Sequence, residues 1–384
     1  MQFEFSTASR IIFGPGKLNS IGDLVREFGH QVLIVSGSPQ AISDRLINLL
    51  EAADINHSFV RVKTEPTIDA ITELVGQCQR AKPAVLIGIG GGSAIDSVKA
   101  TAALVTNPGD ITDYLEVIGR NQPLRNPALP VIAIPTTAGT GSEVTRNAVL
   151  GSPTQHIKVS LRSPYLLPRF ALVDPELTIS VPPATTASTG LDALTQLIEP
   201  FTSNIPNPIT DALCREGIRR ISHSFFTAFD LGSDPNARQD MSLASLLSGL
   251  AMANSRLGAV HGLAGPLGGE ISAPHGAICA CLLPHVMVTN LAALKERAPG
   301  HPALERYQVI AELLSGEAGV SAETGIAWIR DFRRHTHVLQ LSAFGLNETQ
   351  FERIIEKALI SSSMKGNPIT LSEVELRSIL QECL

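Results

Sequence analysis

Four short β-branched runs in the first 180 residues constrain the fold more than any other feature. "QVLIVS" (31–36), "AVLIGIG" (84–90), "PVIAIP" (130–135) and "FALVD" (170–174) read as strands. Three of them are nearly continuous apolar stretches, as expected of strands buried on both faces. Helical patterns over 40–53, 68–80 and 94–105 fall between them. This alternation predicts a parallel sheet covered by helices, an α/β domain.

The pattern changes after "VPPATTASTG" (181–190), where two prolines followed by Ser and Thr mark a hinge and a helix start. Leu213, Gly217, Ile221 and Phe225 form one helical stripe, and 237–257, 303–315, 321–334, 347–362 and 371–382 read as further helices. With 384 residues, two domains are the default. The expected organisation is an α/β dinucleotide-binding domain over 1–182 and an all-helical domain over 183–384.

Composition narrows the function classes. A net charge of −6 and a pI near 5.9 argue against nucleic-acid and anionic-membrane partners, which want a basic surface. No uninterrupted apolar run of membrane-spanning length stands out, and the start lacks the features of a secretory signal. Five scattered cysteines suit a reducing cytoplasm, and "ICACLLP" reads Cys279 and Cys281 as small core residues.

Two loops carry the chemistry of the first half. "LIGIGGGSAIDSVKA" (86–100) sets glycines directly after an apolar strand and before a helix. Glycines admit a phosphate close to the backbone, and the helix start offers free N–H groups and a positive dipole end. "PTTAGTGSEVT" (135–145) also follows a strand and is dense in hydroxyls that suit an anionic or ribose-bearing ligand. Ligands of α/β sheets bind at such strand ends. In the second half, "STGLDALTQLIE" (188–199) puts Asp192 and Gln196 on one helical face. Thr189 and Asp192 also have the spacing of a capping box, which would give the aspartate a purely structural role.

With these motifs, "RIIFGPGKL" (10–18), "ALVDPELT" (171–178) and "PHGAICACLLPHV" (274–286) complete an ordered series along the chain. The series resembles the iron-containing (group III) alcohol dehydrogenases. The resemblance implies an N-terminal Rossmann-like domain and an all-α C-terminal domain, the architecture of dehydroquinate synthase. A cleft between them would hold NAD(P) and a divalent metal, Fe²⁺ or Zn²⁺, with residues 188–196 and 258–275 facing the glycine loop. It further implies cofactor contacts from Gly91, Gly92, Ser93 and Asp96, from Thr136, Thr137, Thr140 and Ser142, and from Lys158 near the nicotinamide ribose. Family members are often dimers, and "RIIFGPG" is available to pair strands across subunits.

By the same resemblance the metal ligands are Asp192, His261 and His275, with Gln196 where the family commonly has a histidine. A further family histidine near the substrate is Gly265 here. Glutamine is a neutral, poorer donor, so affinity is expected to be lowered, but two histidines and a carboxylate form a catalytic set by themselves. The activity implied is NAD(P)-dependent alcohol oxidation or aldehyde reduction on a small-molecule substrate. A metal-independent oxidoreductase like maleylacetate reductase, using cations such as Arg146 or Arg256, is the alternative, as is a non-catalytic nucleotide sensor. A lyase on the dehydroquinate synthase plan wants a denser set of cations, and residues 182–290 hold no lysine. No catalytic acid or base can be named.

Cofactor choice is read at "LIVSGSPQ". An acidic residue after the second strand bonds the adenosine ribose and repels a 2′-phosphate. Gly37 stands there, between Ser36 and Ser38, whose hydroxyls are expected to bond a phosphate. NADP(H) is therefore expected to be accepted and preferred, modestly, since no arginine occurs at the turn.

Overall fold

The computed structural model describes residues 2–153 and 157–384. By contacts the chain divides into two compact units between Ile179 and Ser180, and the described residues ahead of Ser6 belong with the second.

The first unit is built on six strands: β1 (Arg10–Phe13), β2 (Gln31–Ser36), β3 (Asn56–Arg61), β4 (Val85–Gly90), β5 (Val131–Pro135) and, after a hairpin, β8 (Phe170–Val173). Their order is β1-β8-β5-β4-β2-β3 and every pairing is parallel. The hairpin, β6 (Asn147–Ser152) with β7 (Ile157–Arg162), is a separate antiparallel ribbon. Four helices cover the sheet: α1 (Ile21–Arg26), α2 (Gln40–Glu51), α3 (Ile68–Ala81) and α4 (Gly92–Thr106).

Alternate residues of the central strands β2, β4 and β5 serve opposite cores, which is why those runs are apolar throughout. Leu33, Val35 and Leu86 pack with Ile71 and Leu74 of α3 and Val98 of α4. Val32, Ile34 and Ile87 pack with Leu24 of α1 and Leu46 and Leu50 of α2. Missing from the sequence expectation are β1 and β3, the two outer strands, and the ribbon. The "RIIF" run pairs along one edge with β8 of its own chain and forms the outer strand on that side of the sheet.

The second unit is helical: α5 (Pro183–Thr202), α6 (Pro208–Asp230), α7 (Pro235–Asn254), α8 (Ala259–Glu270), α9 (His275–Arg297), α10 (Ala303–Ser315), α11 (Ala322–His335), α12 (Phe351–Ile360) and α13 (Glu373–Gln381). The segment expected to be a hinge is helix from Pro183 onward, with Pro182 as its cap residue. Proline suits the first helical turn, where its missing N–H has no partner to lose. Thr189 therefore lies inside α5, its Oγ1 bonded to the Thr185 carbonyl, and caps nothing.

α5 is buried from Gly190 to Thr202 and is the core helix of this unit. Among the described residues α9 is the one helix long and apolar enough to cross a membrane, a run the sequence expectation overlooked; 78% of that stretch is buried inside the protein. Burial on this scale makes it a core helix.

Candidate active site

The strand order reverses between β2 and β4, since β2 leads to β3 on one side and β4 to β5 on the other. Loops at such a switch point open a crevice for ligands. Here Gly37 N donates to the Ile89 carbonyl (2.9 Å). Gly90 has φ 148°, and a Cβ on it would lie 3.0 Å from Gly37 N, so only glycine lets the two loops meet. Gly91 is the cap residue of α4 without any side-chain cap, which leaves the first N–H groups of that helix for a ligand.

The threonine loop lies alongside because β5 pairs with β4. Thr136 N donates to the Gly90 carbonyl (2.9 Å). A Cβ on Gly91 would meet Thr137 Oγ1 at 3.4 Å and one on Gly92 would meet Thr140 Cγ2 at 2.9 Å. Gly37, Gly91, Gly92, Ser93, Thr136, Thr137 and Thr140 thus form one neighbourhood.

Asp96 and Ser142 are committed to the protein itself. Ser142 Oγ donates to Asp96 Oδ1, and Asp96 Oδ2 accepts from Val149 N (3.0 Å). Lys99, fully buried and unnoticed in the sequence, donates to the Ser142 carbonyl (3.0 Å) and to Thr145 Oγ1 (2.9 Å), stitching α4 to the threonine loop. Beside it, burial pushes the Glu143 carboxyl up to about 7. Lys158 of β7 is ion-paired with Glu65 (2.6 Å).

The reading of Ser36 and Ser38 as phosphate ligands needs correction. Both hydroxyls are buried and bond each other (3.0 Å) and Ser43 (2.8 and 3.1 Å). An arginine does stand at the turn. Arg61 ends β3 opposite Ser36, and its guanidinium donates to the Ser38 carbonyl (2.7 Å) and Gln40 Oε1 (2.7 Å). It comes from a neighbouring strand, out of sight of any local motif.

In the helical unit, α5 carries Asp192, Gln196 and Glu199 as a polar stripe at i, i+4 and i+7 within a buried, mostly apolar stretch. Glu199 Oε1 accepts from Val260 N (2.7 Å) at the start of α8, and Oε2 accepts from His261 Nδ1 (2.6 Å). A carboxylate at a helix N-terminus is favoured by the free N–H groups there. The bond also fixes the His261 ring, so that Nε2 faces Asp192 Oδ1 at 3.6 Å. His275, first residue of α9, brings its Nε2 to 3.8 Å from the same oxygen. Gly276 permits that approach: a Cβ there would lie 2.2 Å from the Ser188 carbonyl oxygen of α5.

Asp192 Oδ1 is buried without a hydrogen-bond partner among the described residues. Desolvation alone would raise this carboxyl, but His261, His275 and Cys279 outweigh it and hold it below the usual carboxylate range. The fourth residue of the cluster is Cys279, one turn along α9 from His275. Its Sγ lies 3.6 Å from His275 Nε2 and 4.0 Å from His261 Nε2, and one donor atom from each of the four lies within 4.8 Å of the others. Cys279 is buried in the core, as expected, and also belongs to this cluster, which the sequence reading did not foresee. Gln196, expected to complete the set, instead has its Oε1 2.9 Å from Ser248 Oγ of α7. Glu199 was missed too, although the i, i+4, i+7 stripe announces it.

The iron-containing alcohol dehydrogenase family matches residues 8–175, and the C-terminal region of the Fe-containing alcohol dehydrogenases matches 186–384. The chain belongs to the iron-containing alcohol dehydrogenase family. It is an oxidoreductase acting on CH–OH groups. Alcohol dehydrogenase 4 of Saccharomyces cerevisiae is 35% identical over 376 residues, covering 96% of this chain and 95% of the yeast protein. The crystal structure of a 1,3-propanediol oxidoreductase superposes with a TM-score of 0.91 at 33% identity, covering all of both chains. A sulfoacetaldehyde reductase from Bifidobacterium kashiwanohense, solved with NAD⁺, gives 0.86 at 28%, covering 99% of this chain and 98% of that one. Within the family reading, Gly265 marks open space: a Cβ there would meet nothing within 4 Å.

Proposed function

We propose that this family member is an NADP(H)-preferring alcohol dehydrogenase or aldehyde reductase that holds a divalent metal, Fe²⁺ or Zn²⁺, on Asp192, His261 and His275. The observation that carries this reading is the orphaned, buried Asp192 Oδ1 facing two imidazole nitrogens. A buried carboxylate oxygen without a partner is costly unless a cation completes it. When bound, the metal supplies Lewis acidity to the substrate oxygen, and the nicotinamide supplies or accepts the hydride.

The chain's own groups bind and orient. Asp192 contributes negative charge at the metal, and Glu199 keeps the His261 proton on Nδ1 so that Nε2 is the free donor. Gly91, Gly92 and Ser93 offer N–H groups to the cofactor phosphates, with Thr136, Thr137 and Thr140 beside them. Asp96, Ser142 and Lys99 act indirectly, by holding the threonine loop against α4. At Gly265 no side chain carries a proton, so the site takes a bulkier alcohol or aldehyde than an imidazole there would admit.

NADP(H) preference rests on Arg61, a guanidinium at the turn after β2 with Gly37, and no carboxylate, in the ribose position. Arginine suits a 2′-phosphate because its fork matches the oxygens and its charge is permanent. A homodimer in the cytoplasm completes the reading: the five cysteines are free thiols, and β1 is an outer strand available to a second copy.

The test is steady-state reduction of an aldehyde panel with NADPH and NADH, using wild type and Arg61→Ala. NADPH should have the higher kcat/KM, and Arg61→Ala should raise KM for NADPH about 10-fold or more while leaving NADH nearly unchanged. Strong selectivity for NADH in wild type refutes the cofactor reading; no turnover with any aldehyde, in the metal-loaded protein, refutes the activity.

A further inference from the structure

Gln196 stands where the family commonly has a histidine, and another helix brings a further candidate donor to the cluster. Gln196 Oε1 is turned to Ser248, whereas Cys279 Sγ is buried beside both imidazoles. We propose that Cys279 is the fourth protein donor, which makes this a carboxylate, two-imidazole, thiolate site that selects Zn²⁺ over Fe²⁺. The inference rests on the metal reading above and goes beyond it in both donor and ion.

Three observations carry it. The first is spacing. Donors held roughly 2.0–2.3 Å from one tetrahedral ion stand roughly 3.3–3.6 Å apart. The separations here are 3.6 Å (Asp192–His261), 3.8 Å (Asp192–His275), 3.6 Å (Cys279–His275) and 4.0 Å (Cys279–His261), so small side-chain movements complete the set. The second is periodicity. His275 and Cys279 are i and i+4 on α9, so one helix face presents both, as α5 presents Asp192. The third is the unpartnered Asp192 Oδ1, 3% exposed at the residue level, which points to a cation within this same group of atoms.

The chemistry follows from the donor. On binding the ion, the thiol S–H gives its proton to solvent and the sulfur coordinates as thiolate. Thiolate is a softer donor than imidazole or carboxylate, and Zn²⁺ lies above Fe²⁺ in the divalent affinity order, so the thiolate widens that margin. The neutral glutamine at 196 is then a bystander that keeps its place in the α5–α7 contact.

Titration of the metal-stripped full-length protein with Co²⁺ decides the matter. Wild type should bind one equivalent and develop the near-ultraviolet charge-transfer band of a thiolate on Co²⁺. Cys279→Ser should bind about 10- to 100-fold more weakly and lack the band, and its advantage for Zn²⁺ over Fe²⁺ in competition should shrink. Co²⁺ binding by wild type without the band, or a band that survives in Cys279→Ser, overturns Cys279 as donor and leaves the Asp192–His261–His275 reading standing. No Co²⁺ binding by wild type overturns that reading itself. The wild-type spectrum needs no variant, so misfolding of Cys279→Ser cannot hide the answer.

Discussion

At the scale of single residues, two buried carboxylates do opposite work. Glu199 is supplied with partners, accepting from Val260 N and His261 Nδ1. Glu143 is supplied only in part: its Oε2 is buried without a hydrogen bond among the described residues, and burial raises its carboxyl from 4.5 to about 7 despite a backbone hydrogen bond and nearby Lys99. A folded-state value above the unfolded one means the native state holds the proton more tightly. That contribution to stability is fully present below about pH 4.5 and is lost as pH rises through about 7. Glu143→Gln removes the ionisation, so relative to wild type it should gain on the order of 1–3 kcal/mol between pH 5 and pH 8. Urea denaturation of both proteins at the two pH values checks this; parallel pH dependences would show that Glu143 does not titrate in that window. Glu199→Gln should lower metal affinity about 10- to 100-fold by loosening the His261 ring, measured by titration with Zn²⁺. Unchanged affinity would make Glu199 a helix cap and nothing more.

The elements show how much of this the sequence made legible. Strands β2, β4, β5 and β8 were readable because each is buried and apolar at nearly every position. β3 was not: as an outer strand its "NHSFVR" mixes polar and apolar residues, and nothing local distinguishes it from a loop. The side-chain cluster was legible where family motifs fall, at Asp192, His261 and His275, which the structure brings together. It was illegible at Cys279, whose "ICACLLP" context is that of a core helix, because the thiol serves both the core and the cluster. Arg61 escaped for a different reason: register with β2, a long-range pairing, sets it beside Ser36. Packing between elements also makes a prediction. Gly276 lets the start of α9 rest on α5, where a methyl group would sit 2.2 Å from the Ser188 carbonyl oxygen. Backbone cannot yield as a flexible side chain does, so Gly276→Ala should cost about 1–3 kcal/mol or more and displace His275 from Asp192. A lowered melting temperature together with weakened Zn²⁺ binding is expected; wild-type values for both would mean that α9 does not depend on this contact.

At the scale of the whole molecule, the proposed function gives two tasks to two separately packed bodies. The α/β unit carries the switch-point loops, and the helical unit carries the whole donor cluster, from Asp192 on α5 to Cys279 on α9. Binding of each ligand should therefore fail independently, while turnover, which needs the hydride and the polarised oxygen together, should fail with either. Gly91→Asp tests one half. Its Cβ has ordinary room, 3.4 Å from Thr137 Oγ1, so the fold should tolerate it, but a carboxylate would stand at the start of α4, where the proposed function puts the cofactor phosphates. Like charges brought together in this way cost several kcal/mol, so NADPH affinity should fall roughly 100-fold or more with Zn²⁺ affinity unchanged. Asp192→Asn tests the other half, removing the charge while keeping the shape: Zn²⁺ affinity should fall and NADPH affinity should hold. Fluorescence titration of NADPH and competition titration of Zn²⁺ on the two variants give four values. The separation of tasks predicts two losses on the diagonal, with aldehyde reduction lost in both proteins. Loss of Zn²⁺ binding in Gly91→Asp, or of NADPH binding in Asp192→Asn, would instead mean that each ligand is held partly by the other unit.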